Sequence, residues 1–369
     1  MPFSEFLGNS RIVTALRGML ATERVPHAML FAGPRGVGKF TLARMFAQAA
    51  NCERLRDDFC GECGPCQAIA RLQNTSMLID QGLAERGESP DAATVERVPL
   101  LLETHPDVWA VVPDPVRLKN PVVRPILHVG QLRAVRRAAY FKPLARRRVF
   151  IIDGAETMRW DHANIFLKIL EEPPETASLI LLAPNPYLLL PTIRSRCLQF
   201  FFSPLAQEQV EQVMRRRDDL SAAQRKLAAQ MAEGSPGAAL AMDLAEATEL
   251  RRTILQILAT VIEGRSPAEL FGQTAHLVKT QKTPFETVLE LFYSLLNDLL
   301  ELSAGFAGQG VRNPALGKEL AKLSRQVDTA WIASAVDALD ELEGRLRRNV
   351  NRQLGLDAIA LSLAEGLQK

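Results

Sequence analysis

The chain has 369 residues, 47% of them apolar, and a formal charge of +2, enough length for two or three domains with ordinary cores. Near-balanced charge excludes a nucleic-acid field spread over the whole molecule and leaves only local basic stretches for such a contact. No basic segment leads into a long apolar run at the start, and no apolar window approaches a bilayer span, so a soluble cytoplasmic protein is expected.

From Pro26 the text PHAMLFAGPRGVGKFTLARMFAQAA reads as a short apolar strand, a glycine-rich turn and a helix with apolar residues at Leu42, Met45, Phe46 and Ala49. Gly33, Gly36, Gly38 and Lys39 supply the backbone amides and the point charge of a phosphate-binding loop. The next position of that pattern carries a hydroxyl for Mg²⁺, and here it is Phe40, which cannot coordinate the ion. Thr41 comes one residue late, about 100° further round the helix. A glycine turn with no ligand is the plain alternative.

Cys52, Cys60, Cys63 and Cys66 follow at once, in CERLRDDFCGECGPC. Four soft thiolates at that spacing can close around a structural Zn²⁺ with no open position, and an iron–sulfur cluster is the rival. The fifth cysteine, Cys197, lies far off, and disulfides are not expected. Residues 76–124, rich in Pro, Asp and Glu, are expected to contain a loop.

Residues 133–148 carry seven cations and no acid, and either meet phosphate backbone or form the exposed face of one helix and its turn. Three more strands are expected: the apolar run at 149–152 ending at Asp153, the run at 179–182, and one ending near Phe202. Asp153 either holds a metal through water or caps the helix that follows. After Pro204 the strand signals stop and the pattern is helical, with breaks at EGSPGAAL, EGRSP and the glycines near 305–310. The apolar spacing at 286–302 fits an internal core or packing between subunits. The lone histidines, His27 and His162 among them, are expected to be structural.

GNSRIVTAL, GPRGVGK, the cysteines after the loop helix, HPDV at 105–108, ANIFLKILEEPP at 163–174 and TIRSRC at 192–197 together resemble the clamp-loader branch of the AAA+ family, as in the bacterial DNA polymerase III clamp loader, over most of the chain. The resemblance implies an α/β AAA+ P-loop domain at 1–203, with a parallel sheet and an inserted zinc module at about 52–66. It further implies a small helical lid domain at 204–245 and an all-α collar, or oligomerisation, domain at 246–369.

In the ATP-hydrolysing gamma or tau members the loop ends in GKT or GKS, a second acid follows the Asp, a sensor threonine precedes the SRC motif, and a sensor arginine follows a Gly-Ser pair. Here those places hold Phe40, Gly154, Ala183 with Pro184, and Pro236 with Gly237 after Gly234 and Ser235. The resemblance therefore implies a member whose Gly33, Gly36, Gly38, Lys39 and Asp153 form a degenerate nucleotide site, able to hold ATP with hydrolysis not expected. Arg196 of the SRC motif is expected to act in trans as an arginine finger in a neighbour's ATP site, against the alternative of a solvated or paired loop charge. Expected partners are gamma/tau and delta subunits, with the sliding clamp and primed DNA reached through the hetero-oligomer and no membrane. Two other readings are a gamma/tau-type ATPase motor that tolerates Phe40, and a zinc-containing nucleic-acid-binding protein using residues 133–148.

Overall fold

The computed structural model describes residues 2–87, 90–115, 125–158, 160–280, 285–305, 311–346 and 351–366. The chain divides into two compact units, one of Met1–Arg216 with Gly234–Leu240 and one of Arg217–Glu233 with Ala241–Lys369.

The first unit is built on a six-stranded sheet: β1 Ala28–Ala32, β2 Leu102–His105, β3 Val108–Val111, β4 Arg148–Ile152, β5 Ala177–Ala183 and β6 Leu198–Phe201, in the order β2-β3-β4-β5-β1-β6. All neighbouring strands run parallel except β2 and β3, which form an antiparallel hairpin. Every residue of β1, β4 and β5 is buried, which is why these strands read as mostly apolar runs, with Arg148 in β4 and Ser178 in β5 as buried polar exceptions.

The helices of this unit are α1 Ser10–Ala21, α2 Lys39–Ala50, α3 Gly64–Ala70, α4 Thr75–Ala84, α5 Ala92–Arg97, α6 Val129–Ala139, α7 Trp160–Glu171, the single turn α8 Pro191–Arg194, and α9 Gln207–Met214. Crossovers through α6 and α7 cover one face of the sheet, where Leu132 and Val135 from α6 and Phe166 and Ile169 from α7 join Phe150 and Leu179 in one core. Phe166 is fully buried, and its truncation to Ala would cost about 3–5 kcal/mol.

Residues 76–124 are more regular than their composition suggests. They hold most of α4, all of α5 and the β2–β3 hairpin, joined by irregular stretches, while 88–89 and 116–124 lie outside the described residues. The hairpin turn is made by Pro106 and Asp107, and β3 ends just before Pro113. Turn residues at both ends of a four-residue strand are the signals that read as a loop.

The second unit is helical throughout its described residues: α10 Ala222–Met231, then, after α11 Pro236–Ala241 (most of which counts with the first unit), α12 Leu244–Ile262, α13 Pro267–Thr280, α14 Phe285–Ser303, α15 Gly317–Leu323, α16 Thr329–Leu346 and α17 Arg352–Gly366. Ile254, Leu258, Leu295, Leu299, Leu320 and Leu339 lie in a single core. The apolar spacing at 286–302 thus serves an internal core, with Leu300 left 38% exposed. The glycines at 306–310 lie outside the described residues.

A buried polar cluster ties α10 to this bundle. Arg251 donates to the carbonyl of Met231 (2.8 Å) and to Asn313 Oδ1 (2.9 Å), while the fully buried carboxylate of Asp298 accepts from the Arg312 and Asn313 amides (2.8 and 2.9 Å). No helix among the described residues is long and apolar enough to cross a membrane.

Candidate functional site: a phosphate-type loop, a thiol cluster and an arginine face

The loop of residues 33–38 leaves the C-terminal end of β1, the end of a parallel sheet where ligands usually bind. Gly36 and Gly38 sit at φ +72° and +103°, conformations that side chains rarely adopt. Gly38 precedes the first turn of α2. Two carbonyls of the loop are engaged by residues of its own unit. Gly237 donates its amide to the Gly36 carbonyl (2.9 Å), and Ser235 Oγ donates to the Arg35 carbonyl (2.9 Å). The fit is close: a Cβ on Gly36 would come within 2.3 Å of Ser235 Oγ. On the other side, a Cβ on Gly38 would lie 3.0 Å from the Phe6 ring.

Lys39 is only 8% exposed, and its ammonium donates to the loop's own carbonyls at Gly33 (2.5 Å) and Pro34 (2.7 Å). Burial lowers its pKa to about 8, against the opposing pull of Asp153 and Glu156. Asp153 follows β4 and accepts from the Gly154 amide (2.9 Å), and burial raises its pKa despite the nearby Lys39 and Arg35. It does not cap α7. The chain passes instead through a 3-10 turn at Ala155–Thr157, for which Gly154 stands at the N-cap. Glu156 is likewise raised by burial, and its Oε2 is buried without a hydrogen-bond partner among the described residues. Phe40 is half-buried and Thr41 exposed.

The structure thus gathers Lys39, Asp153 and Glu156 at the loop. The lysine is held on carbonyls, and burial of Asp153 and Glu156 disfavours their charged forms.

The sulfurs of Cys52, Cys60, Cys63 and Cys66 all lie within 4.8 Å of one another. Three of the four residues are buried and Cys60 is half-buried. Backbone amides point at the sulfurs: Leu55 and Cys60 donate to Cys52 Sγ (both 3.4 Å), and Glu62 and Cys63 donate to Cys60 Sγ (3.4 and 3.3 Å). Those amides lower the Cys60 thiol to about 6, whereas burial raises that of Cys66. Four convergent sulfurs wrapped in N–H donors are positioned to bind a metal ion, and the set fits a closed thiolate site. Cys197 stands apart, buried, with its thiol pushed up to about 12 by desolvation.

The turn α8 follows β5 and delivers Arg196. Its Nη2 donates to Glu171 Oε1 (2.8 Å) and its Nη1 to the Thr192 carbonyl (2.9 Å). Arg194 lies over the ring of Tyr187, 4.7 Å from its centroid. The sequence offered no direct sign of the Glu171 pairing, although Glu171 belongs to the ILEEPP run.

The basic stretch at 133–148 separates into two kinds of residue. Arg146 donates to the carbonyls of Cys52 and Leu55, Arg147 to Ser178 Oγ (2.8 Å), and Arg148 to the Phe141 carbonyl (2.9 Å) while lying 3.6 Å from Asp107. These three are internal ties. On α6, Arg133 pairs with Glu96, and it lines an open surface pocket with Arg136, Arg137 and Tyr140. Two buried features escaped sequence reasoning: the Arg86–Asp114 ion pair (2.5 Å), and Gln131, which donates to the carbonyls of Leu100 and Val112 (2.8 and 2.9 Å). Nothing in residue spacing announces a polar pair that meets only after folding.

Comparison with known proteins adds independent information. A family model described as DNA polymerase III, delta subunit, matches residues 8–206. The delta' subunit of DNA polymerase III from Bacillus subtilis is 25% identical over 358 residues, covering 96% of this chain and 96% of that protein. The tau/gamma subunit of Haemophilus influenzae is 32% identical over 211 residues, or 57% of this chain and 25% of its own length. The tau subunit of Escherichia coli is 31% identical over 56% of this chain and 26% of its own length. The chain therefore spans about a quarter of these tau-type relatives.

Proposed function

The chain belongs to the DNA polymerase III, delta subunit family, whose model covers more than half of it, and from that premise we propose that it acts as a delta'-type, non-hydrolysing subunit of a clamp loader. In this reading it helps load the sliding clamp onto primed DNA in the cytoplasm, within a hetero-oligomer containing gamma/tau and delta subunits. Residues 1–203 serve as the AAA+ domain, 204–245 as the lid and 246–369 as the collar.

The observation that carries the reading is the state of the phosphate-type loop. Its Arg35 and Gly36 carbonyls are taken by Ser235 and Gly237, its lysine is turned onto carbonyls, and Phe40 stands where a Mg²⁺ hydroxyl belongs. A motor needs that lysine on phosphate and that hydroxyl on metal. The full-length similarity to a delta' subunit supports the same conclusion. The tau-type relatives are more similar residue by residue, which favours a shared ATPase ancestry without restoring the missing hydroxyl.

Two side-chain roles complete the reading. The four cysteines hold a structural Zn²⁺, for which convergent sulfurs and amide donors are suitable ligands. Arg196 serves as an arginine finger in a neighbour's ATP site, where its charge would stabilise the transferring phosphoryl group.

The test is an ATPase assay of the purified chain and of the complex reconstituted with gamma/tau and delta subunits. The chain alone should turn over no MgATP. Arg196→Ala should lower turnover at the one adjoining site by about 10³-fold, as for other arginine fingers, leaving the remaining sites to account for residual activity. Mg²⁺-dependent turnover by the isolated chain, abolished by Lys39→Ala, would overturn the reading in favour of a motor.

A further inference from the structure

Arg196 does not hang free at the end of its turn. Both of its terminal nitrogens are engaged, Nη2 by Glu171 Oε1 at 2.8 Å and Nη1 by the Thr192 carbonyl at 2.9 Å. The carboxylate is held in place by local structure. Glu171 is the last residue of α7, and Pro173 and Pro174 follow closely, so the helix cannot extend past it. An acid at a helix C-terminus is disfavoured by the helix dipole, so the arginine supplies the compensating charge. Arg194, the other candidate partner, lies over Tyr187 at 4.7 Å.

Resting on the arginine-finger reading, we propose that Glu171 is a positioning residue that parks Arg196 until a neighbouring nucleotide competes for it. The pair is half in water, with side-chain exposures of 36% and 49%. Such pairs are weak and readily exchanged. A triphosphate brings several negative charges and bidentate acceptor geometry against a single carboxylate, so it can take the guanidinium over. While parked, the arginine contributes nothing to the neighbour, and Glu171 adds a negative charge on the face that the phosphates must approach. Hydrolysis thereby acquires a threshold: the finger engages only when the interface closes far enough for phosphate to displace the carboxylate.

The experiment measures the MgATPase of the reconstituted complex without clamp or DNA. Glu171→Gln, which keeps shape and removes charge, should raise kcat about two- to fivefold, the size expected for an exposed ion pair, with no change in thermal unfolding. Glu171→Asp should fall between the two. The double variant Glu171→Gln/Arg196→Ala should match Arg196→Ala alone, since there is then no finger to release. If Arg196→Ala lowers the rate but Glu171→Gln leaves it unchanged or lowers it, parking is wrong while the finger survives. If Arg196→Ala has no effect, the finger reading fails and takes this proposal with it.

Discussion

Lys39 is the residue whose environment says most about what the phosphate-type loop does. A lysine waiting for an anion keeps its ordinary pKa or gains from the ligand, whereas here burial lowers it from 10.5 to about 8. Between those two values the unfolded chain holds the proton and the folded chain has released it. Stability therefore rises with pH across that window, by up to about 3 kcal/mol, because every tenfold loss of proton affinity on folding corresponds to about 1.4 kcal/mol. The stability difference between the wild type and Lys39→Met should move in favour of the wild type from about pH 8 to pH 10.5, because the opposing loss from the buried Cys197 thiol, raised to about 12, is common to both. A difference that does not change with pH would mean that the ammonium is better solvated than its burial indicates. At this scale the sequence showed a loop pattern and not the surroundings of its residues. Gly36 and Lys39 were visible as that pattern, but the Ser235 and Gly237 contacts to the loop's carbonyls come from some 200 residues further along the chain.

Elements differ in how plainly they announce themselves, and burial explains the difference. Strands β1, β4 and β5 are covered on both faces and so are written as mostly apolar runs, broken only by Arg148 and Ser178. The hairpin strands β2 and β3 are four residues each; β2 reads Leu-Glu-Thr-His, with no apolar run, and the apolar run from Val108 to Val112 is bracketed by the turn residues Pro106, Asp107 and Pro113. The hairpin nonetheless has a structural task centred on Asp107. That carboxylate is 1% exposed and accepts from the amides of Leu144 (3.1 Å) and Ala145 (2.6 Å), so it fixes the segment that leads into β4. Asp107→Ala strands two amides and an arginine, and should destabilise the first unit by about 2–4 kcal/mol. Urea unfolding measures it directly, and a loss under about 0.5 kcal/mol would show that water replaces the carboxylate there. The thiol cluster is the opposite case. Its spacing was legible because ligands to one ion must lie close together, and the fold brings all four sulfurs within 4.8 Å.

For the molecule as a whole, two compact units with separate cores predict more than one thermal transition. The thiol cluster lies entirely in the first unit, so stripping the metal with a chelator should shift only the transition of that unit. A structural zinc is worth enough that the shift should be about 10 °C or more. Calorimetry with and without chelator distinguishes the cases. A uniform shift of both transitions would mean that the units unfold as one, and no shift would mean that the cysteines carry no metal. The apolar pattern changes from strand runs to helical spacing near Pro204, while α9 and residues 234–240 count with the first unit and α10 with the second. Only contacts decide that division, and the Arg251 cluster that ties α10 to the bundle is made of residues with no motif.

Arg146 gives the thiol cluster a reach that four sulfurs alone would not have. Its guanidinium is fastened to the Cys52 carbonyl, 94 residues away in the chain, and the amides of Arg146 and Arg147 hang from Asn51 Oδ1. The same short segment holds up Phe141 and Leu144, 58% and 80% exposed. Oxidising the thiols would therefore work like slackening a guy-rope. The damage would be done at the buried anchor, and the sag would appear at the apolar knuckle on the surface.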